Sequence, residues 1–357
     1  MIISTCSFGS SGSSAVSDYL HECDGVQVMD KAELTLATMV DGLEDLEFQL
    51  MIKNPRQASS IYALQRFKKA VMGHAKGWNK RFGIPVERVE EITDTFIESI
   101  TQVKYVGFSP MVDKKHSEFL RVHVGTSLIR NRIVSRLERK GVIKENFDFY
   151  PLDTVRMSVH PSNFYEEARK FVKTLLVEMG ADFDKKIVLD QAFMGSDPSR
   201  SMPFYEDSYA VVVDRDPRDM YIFAKKVLLS KGRFMPTDTV ENFIAYYRAL
   251  RDTDAYRVEN DRILRLKFED MVYRYDETTA RIDQFLNVKN TSPRTIFVPE
   301  MSAANTNLIR KFPEFAEDVR KIEEALPEFL FDFGKYQPLD KGGKMFYGKS
   351  PLNKKKK

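Results

Sequence analysis

Two segments of this chain carry residue types suited to holding an anion. Near its start, Cys6-Ser-Phe-Gly-Ser-Ser-Gly-Ser-Ser14 is built from small residues. Gly9 and Gly12 permit tight turns that point successive amide N–H groups at one spot. The hydroxyls of Ser10, Ser11, Ser13 and Ser14 add further donors. An apolar stretch, Met1 to Ser4, precedes the loop, and a helical pattern from about Ser14 to His21 follows it. That order aims the loop at a helix N-terminus, where the dipole also favours negative charge. The alternative is a flexible Ser/Gly linker, a less natural neighbour for an apolar strand. An ordinary ATP-binding P-loop is disfavoured, because that motif needs Lys directly after its second Gly and this chain has Ser13 there. The second segment, Ala210-Val-Val-Val-Asp-Arg-Asp-Pro-Arg-Asp219, is an apolar strand running into a charged turn. Arg215 offers the planar fork that grips phosphate; the competing reading is a surface ion-pair turn made by Arg215, Asp216, Arg218 and Asp219.

Acid–base candidates stand at the ends of strand patterns. Asp30 and Glu33 follow Val26 to Met29, Asp190 follows Ile187 to Leu189, and His160 follows Thr154 to Val159. Carboxyl ends of parallel strands are where α/β sheets bind ligands. His21, His74, His116 and His123 show no ligand spacing, and Cys6 and Cys23 make neither a disulfide framework nor a metal set. No metal is expected.

The elements that would position these groups read as an alternation of short apolar strands and amphipathic helices. Further strands are expected at Thr154 to Val159, Lys186 to Leu189, Tyr209 to Asp214 and Ile263 to Phe268. Helical spacing marks Phe164 to Met179, Val240 to Leu250 and Phe315 to Phe329. For the first of these, Asn163 and Glu166 have capping-box spacing, and Gly180 is a stop signal. The class expected is α/β, a parallel sheet with helices on both faces. A mostly helical insertion at about 31–150 would supply the acceptor site within a single domain of residues 1–345, leaving a basic flexible tail at 346–357.

Composition narrows the function classes. The chain has 357 residues, 43% of them apolar and 30% charged, as in an ordinary globular protein. Its formal charge of +3 includes the four terminal lysines from Lys354 to Lys357, so the remainder gives no hint of a basic nucleic-acid face. No signal-peptide pattern opens it, and no apolar run is long enough for a membrane span. A cytoplasmic setting is expected.

In this order the segments resemble those of sulfotransferases of P-loop-type fold, which use 3′-phosphoadenosine 5′-phosphosulfate. Ser11-Gly12-Ser13-Ser14 resembles the end of that family's 5′-phosphosulfate loop, Lys/Arg-Ser-Gly-Thr-Thr, with Ser10 standing where the catalytic Lys would be. The strand and turn ending Val213-Asp-Arg-Asp-Pro-Arg-Asp219 resemble the 3′-phosphate segment, in which Arg215 matches the phosphate-binding Arg; the family's following Ser falls on Phe223. Leu264-Arg-Leu-Lys-Phe-Glu-Asp-Met271, followed by Phe285-Leu286, is similar to its later strand and helix. Arg310 and Lys311 stand where its basic closing loop would be. The wording around Arg215, with Leu189-Asp-Gln191 ahead of it, is most like bacterial enzymes acting on cell-surface polysaccharides. The resemblance implies sulfuryl transfer to a carbohydrate hydroxyl, with Glu33 or Asp190 as base. Gly9, Ser10, Ser11, Gly12, Ser13, Ser14, Arg215, Arg310 and Lys311 would hold the nucleotide. A cation replacing the loop lysine would come from Lys225, Lys226, Arg310 or Lys311. A degenerate member that binds without turnover and a nucleotide-dependent kinase are the competing readings.

Overall fold

The computed structural model describes residues 1–53, 56–108, 152–228, 234–258 and 260–337, with short pieces at 132–133, 135–137, 139–141, 339 and 344–346. Tail residues 347–357 lie outside the described residues. The chain folds into two compact units: residues 1–39, 77–84 and 172–357 form the first, and residues 40–76 and 85–171 the second.

The first unit is built on a five-stranded parallel sheet. Its strands are β1 (Ile2–Cys6), β2 (Val26–Met29), β5 (Lys186–Asp190), β6 (Ser208–Asp214) and β7 (Ile263–Lys267). They are ordered β2-β5-β1-β6-β7. Every residue of the central β1 is buried, and so are six of the seven in β6. Parallel strands covered on both faces read as continuous apolar runs for this reason. Helix α1 (Ser13–Leu20) packs Ala15, Val16, Tyr19 and Leu20 into the same core as Ile3, Val211 and Val213 of the sheet. Met271, Val272, Ile282 and Leu286 of the helices after β7 complete that core. Among the described residues, no helix is long and apolar enough to cross a membrane.

The second unit overlaps the insertion expected at 31–150 and contains two strands besides helices. β3 (Val103–Phe108) pairs antiparallel with β4 (Leu152–Met157) in a sheet of their own. The strand expected at Thr154 to Val159 is therefore β4, outside the parallel sheet. Its neighbouring side chains explain the difference: Val155 is buried while Thr154 is exposed, the alternation of a ribbon with one covered face. Helices α2 (Gln57–Phe82), α3 (Val86–Ile100) and α4 (Phe164–Glu178) contribute Phe67, Phe96, Phe164 and Phe171 to a buried aromatic cluster. The capping box expected at Asn163 and Glu166 does not form. The Asn163 amide donates to Ser99 O at 2.9 Å, and Glu166 pairs instead with Lys170 at 2.7 Å. Gly180 does end α4, at φ +92.

Candidate functional site

The loop between β1 and α1 leaves the central strand at the carboxyl edge of the sheet. Gly9 (φ +74), Ser10 (φ +57) and Gly12 (φ +100) all take left-handed backbone. Gly12 is required twice over, because a Cβ there would lie 2.5 Å from the Phe268 ring. The loop is pinned from three sides. Ser11 Oγ donates to Val213 O at 2.5 Å and accepts from the Phe8 N–H at 3.1 Å. Tyr246 OH donates to Phe8 O at 3.3 Å. Gln191, just past β5, bonds Ser7 and Ser13. The Ala15 N–H turns back to Gly12 O at 3.0 Å, while the first N–H groups of a helix, here those of Ser13 and Ser14, have no acceptor within it.

A cavity of about 710 Å³ lies over this loop, lined by Gly9, Ser10, Gly12, Ser13 and Ser14. Ser11 points beneath it into the sheet. Arg215 joins the lining from the end of β6, although 205 residues separate it from Ser10. Its guanidinium is buried between the Phe223 and Phe268 rings, at 4.7 and 5.3 Å from their centroids. One nitrogen donates to Ser10 O at 3.1 Å and another to Asn305 O, while Nε is buried with no partner. Burial draws the Arg215 pKa down, opposed by the nearby charges of Asp219, Glu269 and Asp216.

Those three carboxyls form a buried layer under Arg215. Asp216 caps the helix Pro217–Phe223 and takes two bonds from Arg218. Asp219 accepts from the Asn307 and Leu308 N–H groups at 2.6 and 2.7 Å. Glu269 accepts from the Asp216 N–H, while its Oε2 is buried without a partner. Burial, reinforced by the neighbouring carboxylates, raises Glu269 to about 8 and Asp219 to about 7. Asp214 turns away from the cavity into a two-bond pair with the buried Arg251, at 2.5 and 2.8 Å. The charged turn thus divides its labour: Asp214, Asp216, Arg218 and Asp219 brace the structure, and Arg215 faces the cavity.

Glu33 and Asp190 both line the cavity, and the Leu34 N–H donates to Asp190 O at 3.0 Å, tying their segments together. Asp18 is a third carboxylate in the lining, which the sequence reading missed. Its spacing of four from Ser14, on one face of α1, was the available signal. Asp30 does not line the cavity and meets His21 at 3.0 Å. His160 belongs to the second unit, where its N–H donates to Leu50 O.

None of the four expected replacement cations lines the cavity. Lys225 lies over the Tyr221 ring, Lys226 pairs with Glu314 at 2.6 Å, and Lys311 donates to Ala304 O at 3.0 Å. Arg310 is exposed. The segment of Arg310 and Lys311 reaches the cavity through Ser302 and Asn305 instead. Among the described residues, the Lys or Arg that lines the cavity is Arg215. Cys6 is buried at the end of β1, and burial raises its thiol to about 12, so it is no nucleophile at neutral pH. Compared with models of protein families, with curated proteins and with solved structures, the chain finds no match.

Proposed function

We propose that the chain is a sulfotransferase of P-loop-type fold. It moves a sulfuryl group from 3′-phosphoadenosine 5′-phosphosulfate to a carbohydrate hydroxyl, as on a bacterial capsular or exopolysaccharide precursor. The observation that supports this best is the meeting of the glycine loop and Arg215 in one cavity. These are the two segments that resemble the donor-binding parts of that family. The cavity also holds Glu33 and Asp190, carboxylates able to take the acceptor proton as its oxygen attacks sulfur. The S–O bond to the donor phosphate breaks in the same displacement. Loop amides and serine hydroxyls would then stabilise the charge left on the 5′-phosphate, the work of preorganised donors in a confined site, while Arg215 holds the 3′-phosphate.

Calorimetry with adenosine 3′,5′-bisphosphate, ATP and ADP tests the reading. Tighter binding of the bisphosphate is expected; preference for ATP would overturn it in favour of a kinase. Arg215→Ala should weaken the bisphosphate about 10- to 100-fold, the loss of a charge-assisted hydrogen bond, and adenosine 5′-phosphate far less. Equal weakening of both would show that Arg215 does not read the 3′ position. A second reading, a donor-binding member without turnover, is favoured by Ser10 and by the absence of Lys from the described lining. Bound donor with no sulfate transferred to any glycan would select it.

A further inference from the structure

Gln191 follows β5 directly and holds φ +53, a left-handed conformation that costs a non-glycine residue on the order of 1 kcal/mol. Its own N–H donates to Thr5 O at 3.0 Å. The side chain reaches the loop, and elementary donor–acceptor chemistry fixes which way its amide faces. The Ser7 N–H can only donate, so the atom 3.1 Å from it is Oε1. Nε2 then faces Ser7 Oγ at 2.6 Å and Ser13 Oγ at 2.9 Å. A carboxamide nitrogen brings only hydrogens, so both hydroxyl oxygens accept from it. Each serine keeps its own hydrogen, and that hydrogen must point away from Gln191. Gly195 secures the same corner, because a Cβ there would lie 2.7 Å from Ser7 O. Ser7, Ser13, Gln191 and Gly195 all line the cavity.

We propose that Gln191 is a positioning residue that sets the polarity of the loop, presenting the Ser7 and Ser13 hydroxyls as donors to an oxyanion. The ligand class is a phosphate- or sulfate-type group, which only accepts hydrogen bonds. The assignment rests on the proposed anion-binding role of the cavity, and it does not depend on which nucleotide carries the anion. Gln191→Glu reverses the device at nearly constant shape. A carboxylate accepts from Ser13, turns its lone pairs toward the anion and adds a like charge.

The test is calorimetry of the wild type, Gln191→Glu, Gln191→Leu, Ser13→Ala and the Gln191→Leu/Ser13→Ala double variant. Adenosine 3′,5′-bisphosphate and inorganic pyrophosphate are the probes, and urea unfolding checks that each variant folds. At about pH 7.5 the Glu variant should bind about 100-fold more weakly. Relative to wild type it should recover toward about pH 5, as the introduced carboxyl takes a proton and becomes a donor. Ser13→Ala should lose about 10-fold, as for one hydrogen bond to a charged group, and Gln191→Leu at least as much, because it frees the Ser7 hydroxyl as well. The double variant should lose little more than Gln191→Leu alone, because the Ser13 donor is already lost in that variant. Wild-type-like binding by the Glu variant, or fully additive losses in the double, would overturn the assignment. Should the Glu variant not fold, the Leu/Ala cycle decides alone. A coupled cycle seen with pyrophosphate, while the wild type ignores the bisphosphate, upholds Gln191 and discards the nucleotide. Binding of neither probe discards both.

Discussion

At the scale of single residues, the charged turn after β6 shows two uses of the same side chain. Arg215 and Arg251 are both buried, but Arg251 is spent on Asp214 while the Nε of Arg215 remains unpaired beside the cavity. Removing one member of a buried pair strands the other's charge. Arg251→Met should therefore lower stability by about 3–5 kcal/mol, read by urea unfolding, and the added Asp214→Leu change should restore part of it. A single-mutant loss below about 1 kcal/mol would mean that the pair is solvated. Arg215 was legible in the sequence because an apolar strand and a Pro-containing turn pointed to it. Gln191 was less so: its importance lies in which atoms it faces, which composition and spacing do not encode, and for Asp18 the one signal is its spacing of four from Ser14. Arg310 and Lys311 had the right charge in the right order, yet it is Ser302 and Asn305 of their segment that reach the cavity.

Elements were read well where one physical signal dominated. β1, β2, β5, β6 and β7 are short strands rich in apolar residues, and each falls within a residue or two of its expected bounds. The stop at Gly180 is equally plain, because φ +92 is a conformation that side chains resist. Gly180→Ala should cost about 1–2 kcal/mol of stability, although nothing within 4 Å would meet the added Cβ. Gly180→Asn should cost less, since Asn tolerates left-handed backbone. Equal unfolding midpoints for the glycine and alanine forms would remove conformation as the reason for this glycine. Where signals competed, the reading slipped. β4 reads from sequence as a member of the parallel sheet because its own strand pattern is visible and its partner β3 is not, whereas the two pair with each other. Pairing between strands so far apart in sequence leaves no local mark. The capping box failed because Asn163 found a tertiary acceptor at Ser99.

For the whole molecule, the carboxyl layer under Arg215 makes stability depend on pH. Glu269 and Asp219 hold protons more tightly folded than unfolded, because burial disfavours their charged forms. The folded state therefore binds more protons between about pH 4 and 8, and stability falls as pH rises through that window. This contribution is fully present below the unfolded carboxyl pKa and is lost as pH passes the folded values. Urea unfolding at stepped pH should show the decline, and Glu269→Gln should flatten it; an unchanged slope would place the proton elsewhere. The sheet order has another consequence, which concerns synthesis. β1 sits at the centre, yet it ends at Cys6 while its neighbours begin at Lys186 and Ser208. At roughly 5–20 residues per second, a nascent β1 waits on the order of ten seconds or more for either partner. During that interval a strand whose every residue is buried in the folded protein has no sheet to join, and the anion loop attached to it has no Gln191 and no Arg215. The ribosome thus makes the first part of the site long before the chain can assemble it, and completion of the site waits on β5 and β6.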